Sequence, residues 1–175
     1  MTEFETTNSK TKTLFLIFGS LLFVLLGLWI VSDPERFADS RRGWMAPYAG
    51  WAAIIFFSLG FVVGLRRMFD NRPKIRADSS GLYAAYLSPE TIPWTVIRNM
   101  GFASYKIQGS RQNMAVLEID PIDQSQIRFS RLYKMNKGMS KMMGFDGPHF
   151  VLNQMNHHPD EIEAALTQVF NYYRR

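Results

Sequence analysis

The chain contains no cysteine. Disulfides, thiolate nucleophiles and Cys-ligated zinc or iron–sulfur sites are therefore excluded. Histidine is scarce: His149, His157 and His158 are the whole supply. The adjacent pair in NHHPDE makes a poor metal cage, because neighbouring side chains point apart and the stretch is needed to start a helix. No HExxH, phosphate-binding glycine loop or Gly-x-Ser-x-Gly is present. The charge balance, 20 Lys+Arg against 15 Asp+Glu for a net +5, is too mild to imply nucleic acid without a basic motif of defined geometry. The expectation is no enzyme, no cofactor, no metal ion and no nucleic-acid partner.

Charge is also missing from two long runs. Residues 13–32, TLFLIFGSLLFVLLGLWIVS, carry none. As a helix they extend about 30 Å, the thickness of a bilayer's hydrocarbon core. The second run, MAPYAGWAAIIFFSLGFVVGL over 45–65, is equally uncharged. Trp29, Trp44, Tyr48 and Trp51 stand near the ends of these runs, at the depth where amphipathic rings favour the headgroup region. A cleaved signal peptide fits less well, since SDPERF offers no small-x-small cleavage site and a second run follows closely. No ionisable residue lies inside either run, which argues against a proton or ion pathway.

The short connection DPERFADSRRGW makes the two spans an antiparallel hairpin. Arg36, Arg41 and Arg42 lie on the loop side; Lys10, Lys12, Arg66, Arg67, Arg72, Lys74 and Arg76 lie on the other. The excess predicts both termini in the cytoplasm of a multi-pass membrane protein, with the loop outside. Gly60 and Gly64 form a GxxxG, and Ala49 and Ala53 repeat its spacing. Such a stripe lets helix backbones approach closely, either within the hairpin or between two copies as a homodimer.

The expected organisation is a cytoplasmic tail over 1–12, spans over 13–32 and 45–65, a juxtamembrane linker over 66–72 and a cytoplasmic domain over 73–175. Within that domain, KIRADSSGLYAAYL reads as two short strands about a Ser-Ser-Gly turn, and IPWTVIRNMGFASYKI as a Pro-Trp corner entering a longer strand. NMAVLEID, after a Gly109-Ser110 turn, SQIRFS and HFVLNQ read as further strands. PDEIEAALTQVFNYY is the clearest helix: Pro159 suits its first turn, and Ile162, Leu166, Val169, Phe170 and Tyr173 form one apolar stripe. Strands followed by one amphipathic helix give an α+β domain, a curved antiparallel sheet or barrel capped by its C-terminal helix.

These residues carry a resemblance. The basic exit Arg66-Arg67, the GLYAAY strand, the IPWTVI corner (Ile92, Pro93, Trp94, Ile97) and the closing helix from Pro159 resemble small bacterial inner-membrane proteins. That family carries two N-terminal transmembrane helices and a pleckstrin-homology-like cytoplasmic domain. The resemblance implies architecture more than activity. Pleckstrin-homology domains of other proteins bind lipid headgroups or protein partners.

The stretch RLYKMNKGMSKMMGF, 131–145, is an insertion between the last two strands of such a domain. On a helical wheel Leu132, Met135, Met139, Met142 and Met143 share an arc, with Arg131, Lys134, Lys137 and Lys141 opposite. Gly144 is placed to end this helix. The methionine face has three readings: packing on the domain's own sheet, burial in the lipid interface with the bases near anionic headgroups, or docking on a protein partner. Arg66 and Arg67 join the candidate membrane contacts. The expected function is a membrane-anchored, non-enzymatic module that presents its domain to a protein partner or to anionic lipid. Two alternatives are an immunity protein against a toxin and an accessory subunit of a larger membrane complex.

Overall fold

The computed structural model describes residues 3–37, 43–107, 110–142 and 147–174, with backbone alone at 34, 37, 107, 110 and 139–142. Arg41, Arg42, Gly109, Met143 and Gly144 lie outside the described residues or beyond their edges. The chain forms two compact units: Lys10–Asn71, and a second assembled from Met1–Ser9 together with Arg72–Arg175.

The first unit pairs helix α1 (Lys10–Ser32) with helix α2 (Ala46–Phe69). Both are long and apolar enough to cross a membrane. Each extends past its uncharged run, α1 taking in Lys10 and Lys12 and α2 ending on a turn with Arg66 and Arg67. At the C-terminal end of α2, Arg66 and Arg67 lie near the helix's unpaired carbonyls, where cations are favoured. The seam between the helices recurs every three to four residues. Ile17 meets Gly64, Ser20 meets Gly60, Phe23 stacks on Phe57 at 4.3 Å, and Gly27 meets Gly50. A side chain at Gly27 would put its Cβ 2.9 Å from the Gly50 carbonyl oxygen. The apolar residues away from this seam, such as Phe15, Phe18, Phe56 and Leu59, are exposed. That is the pattern of a helix whose outer face meets an apolar solvent.

The second unit holds two three-stranded antiparallel sheets. One is β1 (Phe4–Thr6), β2 (Ile75–Asp78) and β3 (Gly81–Ala84), in that order. The other is β4 (Ile97–Ile107), β5 (Ser110–Ile119) and β6 (His149–Val151). Among the described residues the sheets do not close into a barrel, so the expected sheet or barrel is a pair of small open sheets. Helix α5 (Pro159–Tyr173) packs on β1, β2 and β4 and so bridges them. Its Ile162, Leu166, Val169 and Phe170 are buried, as their helical spacing predicts. They share one core with Ile75, Leu82, Leu87, Ile92, Trp94, Leu117 and Phe150.

Two expectations are corrected. The strand expected at SQIRFS is absent: Pro121–Gln126 is a short helix, α3. Pro121 fixes φ for a first helical turn directly after β5, and the alternation in Ile127 and Phe129 serves packing without a ladder, both being part-buried against the core. The tail expected over 1–12 divides: Phe4–Thr6 is a strand of the folded unit, and Lys10 already opens α1.

Candidate functional site

Helix α4 (Arg131–Met142) begins where Ser130 caps it. The Ser130 hydroxyl accepts from the Tyr133 backbone N–H at 3.1 Å and donates to the Tyr86 carbonyl. This satisfies one of the donors that a helix start leaves open. Among the described residues of the helix, one large side chain fixes it to the domain. Tyr133 is 2% exposed, packed on Phe129, Tyr86 and His149. Burial holds its phenol above the ordinary tyrosine pKa. Asn136 adds a 3.0 Å hydrogen bond to the Tyr86 hydroxyl.

That anchor decides which faces are left over. Leu132 is 59% and Met135 79% exposed, so these two residues of the apolar face do not pack on the domain's own sheet. Arg131, Lys134 and Lys137 are exposed as well. No acidic residue occurs anywhere in the helix. Met139, Lys141 and Met142 lie on its last turn, where their side chains are outside the description. The wheel places the first and last of these on the arc of Leu132 and Met135. The aromatic anchor is what the sequence reading missed; its trace was the i, i+4 pair Phe129 and Tyr133 across a serine cap.

The other candidates fall elsewhere. Gly60 and Gly64 face α1 of the same chain, where added Cβ atoms would lie 3.0 Å from Ser20 Oγ and 2.7 Å from Ile17 Cγ1. Arg66 is exposed and Arg67 half-buried on the last turn of α2.

Each histidine has a structural task. His158 caps α5, accepting from the Asp160 N–H while Glu161 accepts from the His158 N–H. His157 Nδ1 lies 2.9 Å from the buried Thr6 hydroxyl and fastens β1. His149 Nδ1 lies 2.9 Å from the Gly147 carbonyl. Among the described residues no three His, Asp or Glu side chains gather as a metal site. Every buried side-chain polar atom described has a partner. A depression at Asp160, Glu163 and Thr167 follows the outer face of α5 alone.

The β2–β3 turn organises the core edge. Asp78 accepts from the Ser80 N–H at 2.8 Å and lies 3.0 Å from Arg76 Nε. The Ser80 hydroxyl, helped by Arg76, holds this carboxyl below the usual range. The Asp78 carbonyl accepts from Trp94 Nε1 at 2.7 Å, which explains the Pro-Trp corner.

No family model, no curated protein and no solved structure matches this chain. The reading of its function rests on its own residues.

Proposed function

We propose that this chain is a membrane-anchored, non-enzymatic binding module of a bacterial inner membrane. Two antiparallel spans hold a pleckstrin-homology-like domain at the cytoplasmic face, where its surface engages a partner. The observation that carries this is connectivity. Three residues separate β1 from α1 and five separate α2 from β2, yet β1 and β2 pair with each other. One folded unit therefore holds both ends of the apolar hairpin, and a hairpin of two spans is the arrangement that leaves those ends on one side. The Lys/Arg excess at that end supports the cytoplasm as the side. Strands followed by a C-terminal helix that bridges them support the pleckstrin-homology likeness. Engagement of all three histidines in caps and strand contacts supports a surface role over a catalytic one.

The cysteine-free chain makes the test direct. Single cysteines are placed by Glu5→Cys on β1, Glu35→Cys on the connection and Gln168→Cys on α5, all at exposed positions. A membrane-impermeant maleimide should label Glu35→Cys in spheroplasts, and the other two only after permeabilisation. Labelling of Glu5→Cys and Glu35→Cys from the same side would refute the two-span reading.

A further inference from the structure

We propose that α4 is an interfacial helix that docks on anionic phospholipid, with Leu132 and Met135 in the lipid interface and Arg131, Lys134 and Lys137 against the headgroup charge. The inference rests on the membrane-anchored reading and names the partner of that module. Three observations carry it.

First, the exposure is uneven. The helix buries Tyr133 almost completely while its neighbours Leu132 and Met135 stay largely exposed. Soluble surfaces scatter single apolar residues, but two on one helical arc beside three exposed bases and no acid match an interface-seeking helix. Second, the charge is of one sign. Arg131, Lys134 and Lys137 have no acidic residue within the helix to neutralise them, so an anionic surface is the complementary partner. Each base near such a surface contributes about fivefold in binding, and three contribute roughly a hundredfold. Third, a bilayer would be close at hand. The segments joining the unit to the apolar helices are three and five residues long. The membrane then acts at high effective concentration, and weak intrinsic affinity is enough.

The test uses the full chain in nanodiscs, comparing phosphatidylglycerol-containing with purely phosphatidylcholine bilayers. Met135→Cys carries an environment-sensitive fluorophore, the only thiol present. In anionic discs the emission should shift to the blue, acrylamide quenching should fall at least threefold, and lipids with a shallow spin label should quench the probe. Neutral discs, high salt, or Arg131→Gln/Lys134→Gln/Lys137→Gln should return the probe to water, while Trp94 emission, read without the fluorophore in a Trp29→Phe/Trp44→Phe/Trp51→Phe background, shows the domain still folded. Equal acrylamide access in both bilayers would overturn the proposal. So would a probe exposed in anionic discs but shielded in native membrane vesicles, which would assign the face to a protein. Co-elution with the discs scores anchoring separately. A chain that elutes free of lipid overturns both readings, and one that co-elutes with an exposed probe overturns only this one.

Discussion

Gly81→Ala should cripple the folded unit while leaving the helical hairpin intact. Gly81 has φ +140°, a conformation that L side chains rarely adopt. A Cβ there would lie 2.2 Å from the Ile92 carbonyl oxygen, 2.8 Å from its carbon and 3.0 Å from Pro93 Cα. All three are backbone atoms, so no rotamer change relieves the clash, and β3 must move away from Ile92. That movement breaks the reciprocal pair in which Leu82 N–H donates to Ile92 O and Ile92 N–H to Leu82 O, both at 2.8 Å. Strain of about 1–3 kcal/mol and two buried hydrogen bonds at about 1 kcal/mol each give a loss of about 3–5 kcal/mol. Domains of this size are stable by only about 5–15 kcal/mol. Trp94 is the sole tryptophan of the folded unit. Its emission in a Trp29→Phe/Trp44→Phe/Trp51→Phe background therefore follows this unit alone through denaturant unfolding in mild detergent. Gly101→Ala is the control, since nothing lies within 4 Å of a Cβ there. The control should stay within about 1 kcal/mol of the parent. A Gly81→Ala midpoint as close to the parent's as that of Gly101→Ala would refute the reasoning.

Two further outcomes follow from the hairpin and the turn. A Cβ at Gly60 would stand 3.9 Å from Ser20 Cβ, inside the range that disulfides favour. Ser20→Cys/Gly60→Cys should therefore oxidise to an intramolecular bridge on electrophoresis, and adding Gly27→Leu should suppress it; a covalent dimer instead would place the glycine face between copies. At Asp78 the folded-state pKa is lowered, so its contribution is present at neutral pH and lost as pH falls through that lowered value. Asp78→Asn should flatten the acid limb of the unfolding curve below the ordinary Asp pKa of about 3.9 by about 1 kcal/mol or less, as befits a partly solvated carboxylate. An unchanged acid limb would remove Asp78 from the account.

The features legible in the sequence share one property: a local pattern determined them. The two long apolar helices, the Asp78–Gly81 turn region, the Pro93-Trp94 corner and the stripe on α5 are each written within a few residues of themselves. Tertiary context decided what was missed. Phe4–Thr6 is too short to show a period, and its partner strand stands some seventy positions away across both helices, at Phe4↔Ala77. The alternation at Ile127 and Phe129 was real, but a proline-started helix took the residues before it. For α4 the wheel placed the apolar and basic faces, but not which of them the domain would use. Among the described side chains of the helix, Tyr133, outside both arcs, is the one that is buried.

The pairing of β1 with β2 across the two helices would couple the fold to insertion. If α1 and α2 cross a bilayer as proposed, β1 and β2 can meet only when both helices have crossed and their outer ends share one side. A chain whose second helix failed to insert would leave Thr6 without its place against Lys74 and His157, where it now accepts from the Lys74 N–H at 2.8 Å and lies 2.9 Å from the His157 ring. The Ser9 N–H to Gln154 carbonyl bond and the Asn156 N–H to Thr7 carbonyl bond would be lost with it. The unit would then expose the edge of β2 and the core that Phe4 packs against, and an open edge of that kind invites pairing with other chains. Cutting the chain after the second span has the same effect. A fragment starting at residue 73 discards a strand of its own sheet, so its behaviour at a membrane would report an incomplete domain. A soluble form must keep residues 3–9 and join them to residue 72 by a flexible linker in place of the two helices.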